Sequence, residues 1–485
     1  MTALALNPDA AALDDGKRTY SRAELDHEVS AVAVVLQLAK VRVLATLLDN
    51  SPAWVVADLA AARARIVHIP LPLFFTPAQI GHALQAAGVD AVLTLPAYAA
   101  NWAAAPSEAC TVAGQTLTLV RLPARAVAMP AGTGKITFTS GSTGTPKGVC
   151  LDGVAMQAVA NGLVQALEPL EIRRHLCALP FAVLLENIAG LMAPLAAGAV
   201  CVTLPLQQVG LSGSSGFDPA VFHAAVVRHA PHSIILLPQM LTAWVAFLRH
   251  TSMRAPDSLK LVAVGGAAVG EGLVAAARAV GVPAYEGYGL SEGASVQTLN
   301  LPRADLPRSA GRPLPHARVR IADGGEIEIA GSLMLGYLGD AASPPAWWST
   351  GDLGHIDANG FLHVQGRRKN VLITAFGRNV SPEWVETALQ NDPAVAVATV
   401  FGDGQPALSA VLWPMPGAGD ADLQRAVDAA NAALPDYARI ARWTRAAAPF
   451  NAASGMATAN GRPQRAAILQ AHVAALVPST DDTNP

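Results

Sequence analysis

The thirteen residues TFTSGSTGTPKGV, 137–149, constrain this chain more than any other stretch. Thr139, Ser140, Ser142 and Thr143 bring hydroxyls, and Gly141, Gly144 and Gly148 bring backbone freedom. Thr145 and Lys147 complete the run, which directly follows the β-branched Ile136. Glycines let successive N–H groups turn onto an anion, and hydroxyls with one ammonium complete a cradle for phosphate oxygens. Gly/Ser/Thr clusters also mark ordinary surface loops, but a plain loop rarely carries lysine behind proline in so dense a hydroxyl run. The run is not a Walker A loop, because Pro146 stands before Lys147 where that motif needs glycine. The nearby GTGK at 132–135 fails at Met129 and Ile136.

A chain of 485 residues that is 52% hydrophobic can bury a large core and divides on size into two or more domains. Its net charge of −3 provides no basic field for nucleic acid or an anionic membrane. Cys110, Cys150, Cys177 and Cys201 lie far apart without CxxC spacing, which argues against a zinc site and a disulfide scaffold and for reduced core thiols in a cytoplasmic protein. The first residues reach Asp9 before any basic side chain and lack the order of a secretory signal. Residues 176–206 are long enough to span a bilayer, but Pro180, Glu186, Asn187 and Pro194 interrupt them. They read as a buried helix feeding a buried strand, so no transmembrane span is expected.

Hydrophobic periodicity alternates between helix and strand from the N-terminus to about residue 300. Ser21 with Glu24 forms an S-x-x-E start signal for a helix, VRVLATLLD reads as a strand, and AWVVADLAAARA as the next helix. Such alternation predicts an α/β fold with mostly parallel sheets covered on both faces. Short strands such as HARVRI, GEIEIAG and LGYLGD predict a small β-rich subdomain at about 300–366. A new unit begins near GRRKN, 366–370, so the expected domains are 1–368 and a smaller α+β unit at 369–485.

The 137–149 run resembles the phosphate loop of the adenylate-forming superfamily, which includes acyl-CoA synthetases, luciferases and peptide-synthetase adenylation domains. YEGYGLSEG, 285–293, resembles the family's aromatic-Gly-x-Thr-Glu motif with Ser291 in place of threonine. The resemblance implies that Tyr288, followed by Gly289, stacks on adenine, that Ser291 meets the α-phosphate and that Glu292 holds Mg²⁺. GGAAV, with Gly266 and Ala267, is similar to the segment lining the adenine and acyl pocket. STGDLG implies Asp352 at the ribose hydroxyls, GRRKN implies Arg367 at ribose and phosphate with Lys369 as the inter-domain hinge, and FGRNVSPEWVE implies Gly377 where pantetheine passes. Thr139 to Thr145 and Lys147 then form the triphosphate grip. Six such motifs in the family's order cover essentially the whole chain.

The resemblance implies an ATP-dependent acid:thiol ligase. A carboxylate attacks the α-phosphorus of ATP, pyrophosphate leaves, and the acyl-adenylate passes to a thiol once the small domain swings. CoA is the leading acceptor, with a phosphopantetheine carrier protein or a nitrogen nucleophile as alternatives, in a monomer or homodimer. Two departures qualify this expectation. TANGRPQR, 458–465, places Arg462 where the family has a lysine bridging substrate carboxylate and ATP, and none of the chain's six lysines follows Lys369. Arginine keeps the charge but is longer and planar, which leaves a degenerate nucleotide-binding homologue as the rival reading. In LPFAVLLENIAG, 179–190, Ala182, Val183 and Leu184 stand where many relatives carry histidine or an aromatic, which suggests an apolar acyl or aryl acid. Glu186 close behind is a candidate partner for a substrate ammonium.

Overall fold

The computed structural model describes residues 7–123, 125–139, 147–213, 216–267, 269–340, 343–376, 378–458 and 462–476. Helix Arg22–Leu38 starts at Ser21, whose hydroxyl accepts from the Glu24 amide while the Glu24 carboxylate accepts from the Ser21 amide. Two otherwise orphaned N–H groups are thereby satisfied, as the S-x-x-E spacing predicts. Thr76 and Gln79 repeat this arrangement at Pro77–Ala86, and Asp152 caps Gly153–Leu167.

Two large sheets carry the first three quarters of the chain. The eight-stranded sheet runs Gly336–Tyr337, Lys147–Leu151, Lys135–Thr139, Val67–Pro70, Val43–Leu47, Ala91–Thr94, Gln115–Arg121, Ser107–Val112. Its centre is parallel and its flanks are antiparallel. The nine-stranded sheet runs Arg312–Pro313, Ser295–Leu299, Ala284–Leu290, Leu261–Val264, Ser233–Leu236, Arg174–Leu176, Val200–Val202, Ala11–Asp14, Thr19–Ser21. It is parallel from Ala284–Leu290 to Ala11–Asp14. Helix Pro52–Arg63 is apolar nearly all round and packs against both sheets, with Trp54, Leu13, Leu44 and Cys201 in one core.

A four-stranded antiparallel sheet follows, ordered Ala317–Ile321, Glu326–Gly331, Trp348–Ile356, Leu362–Arg367. LGYLGD does not join it. Gly336–Tyr337 pairs instead with Lys147–Leu151, because Leu335 and Leu338 pack into the core of the larger sheet and their amides bond the carbonyls of Cys150 and Gly148. Beyond residue 369, strands Val395–Phe401, Leu408–Pro414 and Ile440–Arg445 share a separate core with helices Pro382–Gln390 and Asp420–Ala433.

The apolar segment 176–206 folds as the end of strand Arg174–Leu176, a π-helix at Glu186–Met192, a short helix at Ala193–Ala196 and the strand Val200–Val202. The buried helix expected there thus takes the wider π form. Among the described residues no helix is long and apolar enough to cross a membrane. Cys150, Cys177 and Cys201 are buried, Cys110 is half-buried, and all four are free thiols.

One charged network lies inside this core. Lys135 Nζ donates to Asp58 Oδ1 at 2.7 Å and also to Asn187 Oδ1, and the Asn187 amide donates to Asp58 Oδ2 at 3.1 Å. His68 Nδ1 lies 2.6 Å from Asp58 Oδ1, and its Nε2 meets Thr46 Oγ1 at 2.9 Å. Burial alone would raise the Asp58 carboxyl, but Lys135 and His68 overcome it and hold it well below the usual carboxylate range. Removing one partner of such a pair leaves a charge without compensation, so Asp58→Ala should cost about 3–5 kcal/mol in denaturant unfolding. Asp58→Ala with Lys135→Met should recover most of that loss, and no recovery would contradict the pairing.

Candidate functional site

The strands Lys135–Thr139 and Lys147–Leu151 pair with Thr139 opposite Lys147, and the Thr139 hydroxyl donates to the Lys147 carbonyl at 3.4 Å. Lys147 Nζ sits 5.3 Å from the centre of the Tyr337 ring, a cation–π arrangement. Ser140, Gly141, Ser142, Thr143, Gly144 and Thr145 lie outside the described residues, as does Gly377.

Strand Ala284–Leu290 leads into a single 3₁₀ turn, Ser291–Gly293, that presents Glu292. The turn is closed by Ala294 and Ser295, both at positive φ (52° and 100°), conformations that non-glycine residues adopt only under constraint. Tyr337 OH donates to Glu292 Oε1 at 2.8 Å, so the carboxylate is oriented from the neighbouring sheet. Gly289 has a packing reason independent of any ligand: a Cβ there would stand 2.2 Å from the Ser295 carbonyl oxygen.

Tyr288 faces the four-stranded sheet, and its hydroxyl donates to Asp352 Oδ2 at 2.7 Å. Arg367 Nε donates to Asp352 Oδ1, also at 2.7 Å, from the strand paired in register with it. Burial raises the Asp352 carboxyl, against the opposing pull of Arg367 and Tyr288, and burial likewise raises the Tyr288 hydroxyl. Arg462 reaches the same place from the C-terminal unit. Crowding and then Arg367 lower its pKa, while Asp352 and Glu292 act on it as opposite charges. Lys369 is lowered by the same crowding and by Arg367 and Arg462. Lys147, Arg367, Lys369 and Arg462 therefore converge on a cleft that Glu292, Asp352 and Glu383 also border, a charge set suited to a polyanion.

This cleft encloses about 2920 Å³ and continues past Gly266 and Ala267 to an apolar wall of Ala182, Val183, Leu184 and Leu185. Glu186 does not join that wall: it is fully buried, so it is no partner for a substrate ammonium. Two residues that the motifs did not single out do reach the cleft. Tyr337 is one. Glu286 is the other: strand alternation puts it on the same face as Tyr288, it accepts from the Val269 amide at 3.3 Å, and burial pushes its carboxyl up to about 7. That period-two relation was the available signal for Glu286, whereas Tyr337 is recognisable only from the sheet pairing.

Residues 2–338 match the family model for AMP-binding enzymes, and residues 369–476 match the model for the AMP-binding enzyme C-terminal domain. Feruloyl-CoA synthase of Amycolatopsis sp is 30% identical over 437 residues, covering 83% of this chain and 84% of the relative. The anthranilate CoA ligase AuaEII, solved with anthranoyl-AMP, superposes with a TM-score of 0.79 at 18% identity over 98% of this chain and 95% of the other, a likeness of fold. The o-succinylbenzoate CoA synthetase of Bacillus subtilis, solved with ATP and magnesium, gives a TM-score of 0.72 at 25% identity over 91% and 94%.

Tyr288→Phe keeps the ring but removes a hydrogen bond to a buried carboxylate. The expected cost is about 1.5–3 kcal/mol, seen as a lowered melting temperature. An unchanged melting temperature would show that the hydroxyl does not hold Asp352.

Proposed function

Because the chain belongs to the AMP-binding enzyme family, we propose that it activates a carboxylic acid with ATP to an acyl-adenylate and passes the acyl group to a thiol, CoA in the first place. The observation that carries this reading is the arrival of Arg462 in the cleft that also holds Glu292, Asp352 and Arg367. Among the cations of the cleft, the Arg462 guanidinium from the C-terminal unit and the Lys147 ammonium from the phosphate loop neutralise charge as a carboxylate oxygen attacks the α-phosphorus and pyrophosphate leaves.

In this reading Tyr288 offers its ring to adenine, with Gly266, Ala267 and Gly289 beside it, and the Glu286 carboxyl faces the same pocket. Asp352 turns from Tyr288 and Arg367 to the ribose hydroxyls, and Ser291 meets the α-phosphate. Ser140 to Thr145, with Thr139 and Lys147, hold the β- and γ-phosphates. Glu292, oriented by Tyr337, is the residue that would hold Mg²⁺, a hard cation that supplies charge neutralisation between phosphate oxygens. A hard carboxylate oxygen with no thiol or imidazole named beside it fits that ion better than a transition metal. The wall at Ala182–Leu185 favours an apolar acyl or aryl acid.

We place the domain division at residue 369, with Lys369 as the pivot that exchanges the Arg462 face for the Gly377 face when the thiol attacks, and the enzyme in the cytoplasm as a monomer or homodimer. Feruloyl-CoA synthase, the aryl-acid relative, supports the same choice of acid class.

Pyrophosphate release over a panel of alkyl and aryl acids, with and without CoA, tests the reading: release should require an acid, and acyl-CoA should form only with CoA. Arg462→Ala should slow adenylation about 10²–10³-fold with its melting temperature unchanged. Arg462→Lys should also lose activity. A large gain in Arg462→Lys, or ATP binding without release for every acid, would show a crippled, nucleotide-binding homologue instead.

A further inference from the structure

Beside the apolar wall, three buried side chains of different chemistry meet, and one of them, His175, also borders the cleft with its neighbour Ser233. His175, Cys177 and Glu186 are 2%, 0% and 0% exposed. Their imidazole nitrogen, thiol sulfur and carboxylate oxygen all lie within 4.8 Å of one another. Two residues apart at the end of strand Arg174–Leu176, His175 and Cys177 point to the same face of the sheet. Cys201 stands in register with His175 on the adjacent strand, and its thiol points to the same Gly190 carbonyl as that of Cys177. Glu186 enters from the first residue of the π-helix, a rare element found mostly at functional positions. Gly190 leaves the room required: a Cβ there would stand 2.4 Å from Glu186 Oε1 and 2.9 Å from His175 Nε2.

The internal geometry of the cluster is poor for hydrogen bonds and good for a metal. His175 Nδ1 lies 2.8 Å from Ser233 Oγ, an outer partner of the kind that orients a ligating imidazole, and the Nδ1–H tautomer leaves the Nε2 lone pair for a metal. That Nε2 faces Glu186 Oε1 at 3.4 Å, beyond the roughly 2.7–2.9 Å of a charge-assisted hydrogen bond. It equals the edge of a tetrahedron around zinc, about 3.3–3.4 Å for Zn–N and Zn–O bonds near 2.0–2.1 Å. Glu186 Oε2 is buried and has no hydrogen-bond partner. The Cys177 thiol makes a long contact, 3.5 Å, to the Gly190 carbonyl, and the Cys201 thiol and the Glu186 carboxylate lie within its reach.

We propose that His175 Nε2, Cys177 Sγ and a Glu186 carboxylate oxygen bind one zinc ion, with the fourth position left to a further donor. Binding releases the Cys177 proton, together with any proton on the Glu186 carboxyl, to solvent, and no electron is transferred. A thiolate and a carboxylate cancel the charge of a divalent ion, which removes the cost of burying any of the three alone. Imidazole and thiolate select a zinc-type ion over the magnesium that Glu292 suits. The ion clips residue 177 to residue 186 and so fixes the intervening loop, whose Ala182–Leu185 segment forms the apolar wall of the cleft. The absence of CxxC spacing conceals such a site, because its donors come from a strand and from a π-helix nine residues further on.

The test is independent of the acid substrate. The full chain is expressed in zinc-supplemented medium, and separately with cobalt in place of zinc, then passed over a gel-filtration column in chelator. Metal content by mass spectrometry should be about one zinc per chain, and the cobalt form should show a thiolate-to-cobalt charge-transfer band in the near ultraviolet. Cys177→Ala and the near-isosteric Glu186→Gln should each lower retained metal at least about tenfold. If either variant fails to fold, the cobalt spectrum of the unaltered chain still decides. Metal below about a tenth of an equivalent, cobalt bound without a thiolate band, or full retention in a folded Glu186→Gln would each overturn the proposal.

Discussion

The structure depends on a charge placed where charges are rarely placed. Lys135 opens the strand that leads to the phosphate loop, and its ammonium is buried against Asp58 from a helix between the two large sheets. Burying two ions is costly unless their geometry and additional hydrogen bonds compensate, and Asn187 and His68 supply those bonds. A strand that slipped by one residue would turn Lys135 to the other face and leave Asp58 alone, so the pair penalises register error where error would displace Thr139 and Lys147. The lysine of the rejected GTGK motif thus has a structural task, and the lysine behind Pro146 is left for the ligand.

Asp352 has the corresponding role in the cleft. It takes hydrogen bonds from the nine-stranded sheet through Tyr288 and from its own sheet through Arg367, and it attracts Arg462 from the C-terminal unit. Two strands from different sheets are therefore held to one carboxylate, and its charge favours the approach of a third part of the chain. Each of these partners offers chemistry suited to a nucleotide, so the contacts across the cleft are also those a bound nucleotide would replace. Such exchange keeps the groups oriented in advance, which lowers the ordering cost of binding.

Much of the framework was legible from local rules. The capping pair Ser21 and Glu24, the mostly apolar helix containing Trp54 and the strand alternation each follow from short-range spacing, and each formed as expected. The cleft residues were found by motif resemblance, and the structure brings Tyr288, Glu292, Asp352, Arg367, Lys369 and Arg462 to one cavity. What escaped depended on contacts distant in sequence or on helical pitch. Nothing near LGYLGD announces that Tyr337 pairs with strand Lys147–Leu151 and bonds Glu292. ENIAGLM has the composition of an ordinary helix, and nothing in its spacing announces the π form or the close approach of Glu186 and His175 to Gly190. The partner of Lys135 is 77 positions away, since 135 − 58 = 77, beyond any window of periodicity.

The central claim is that a carboxylate oxygen attacks the α-phosphorus of ATP in this cleft. Supplying the best acid with its carboxyl group labelled with oxygen-18, and analysing the nucleotide product by mass spectrometry after one turnover with CoA, tests it directly. Attack by the carboxylate transfers one of its oxygens to phosphorus, so the account predicts AMP carrying a single labelled oxygen. AMP without label, or ADP in its place, would contradict it.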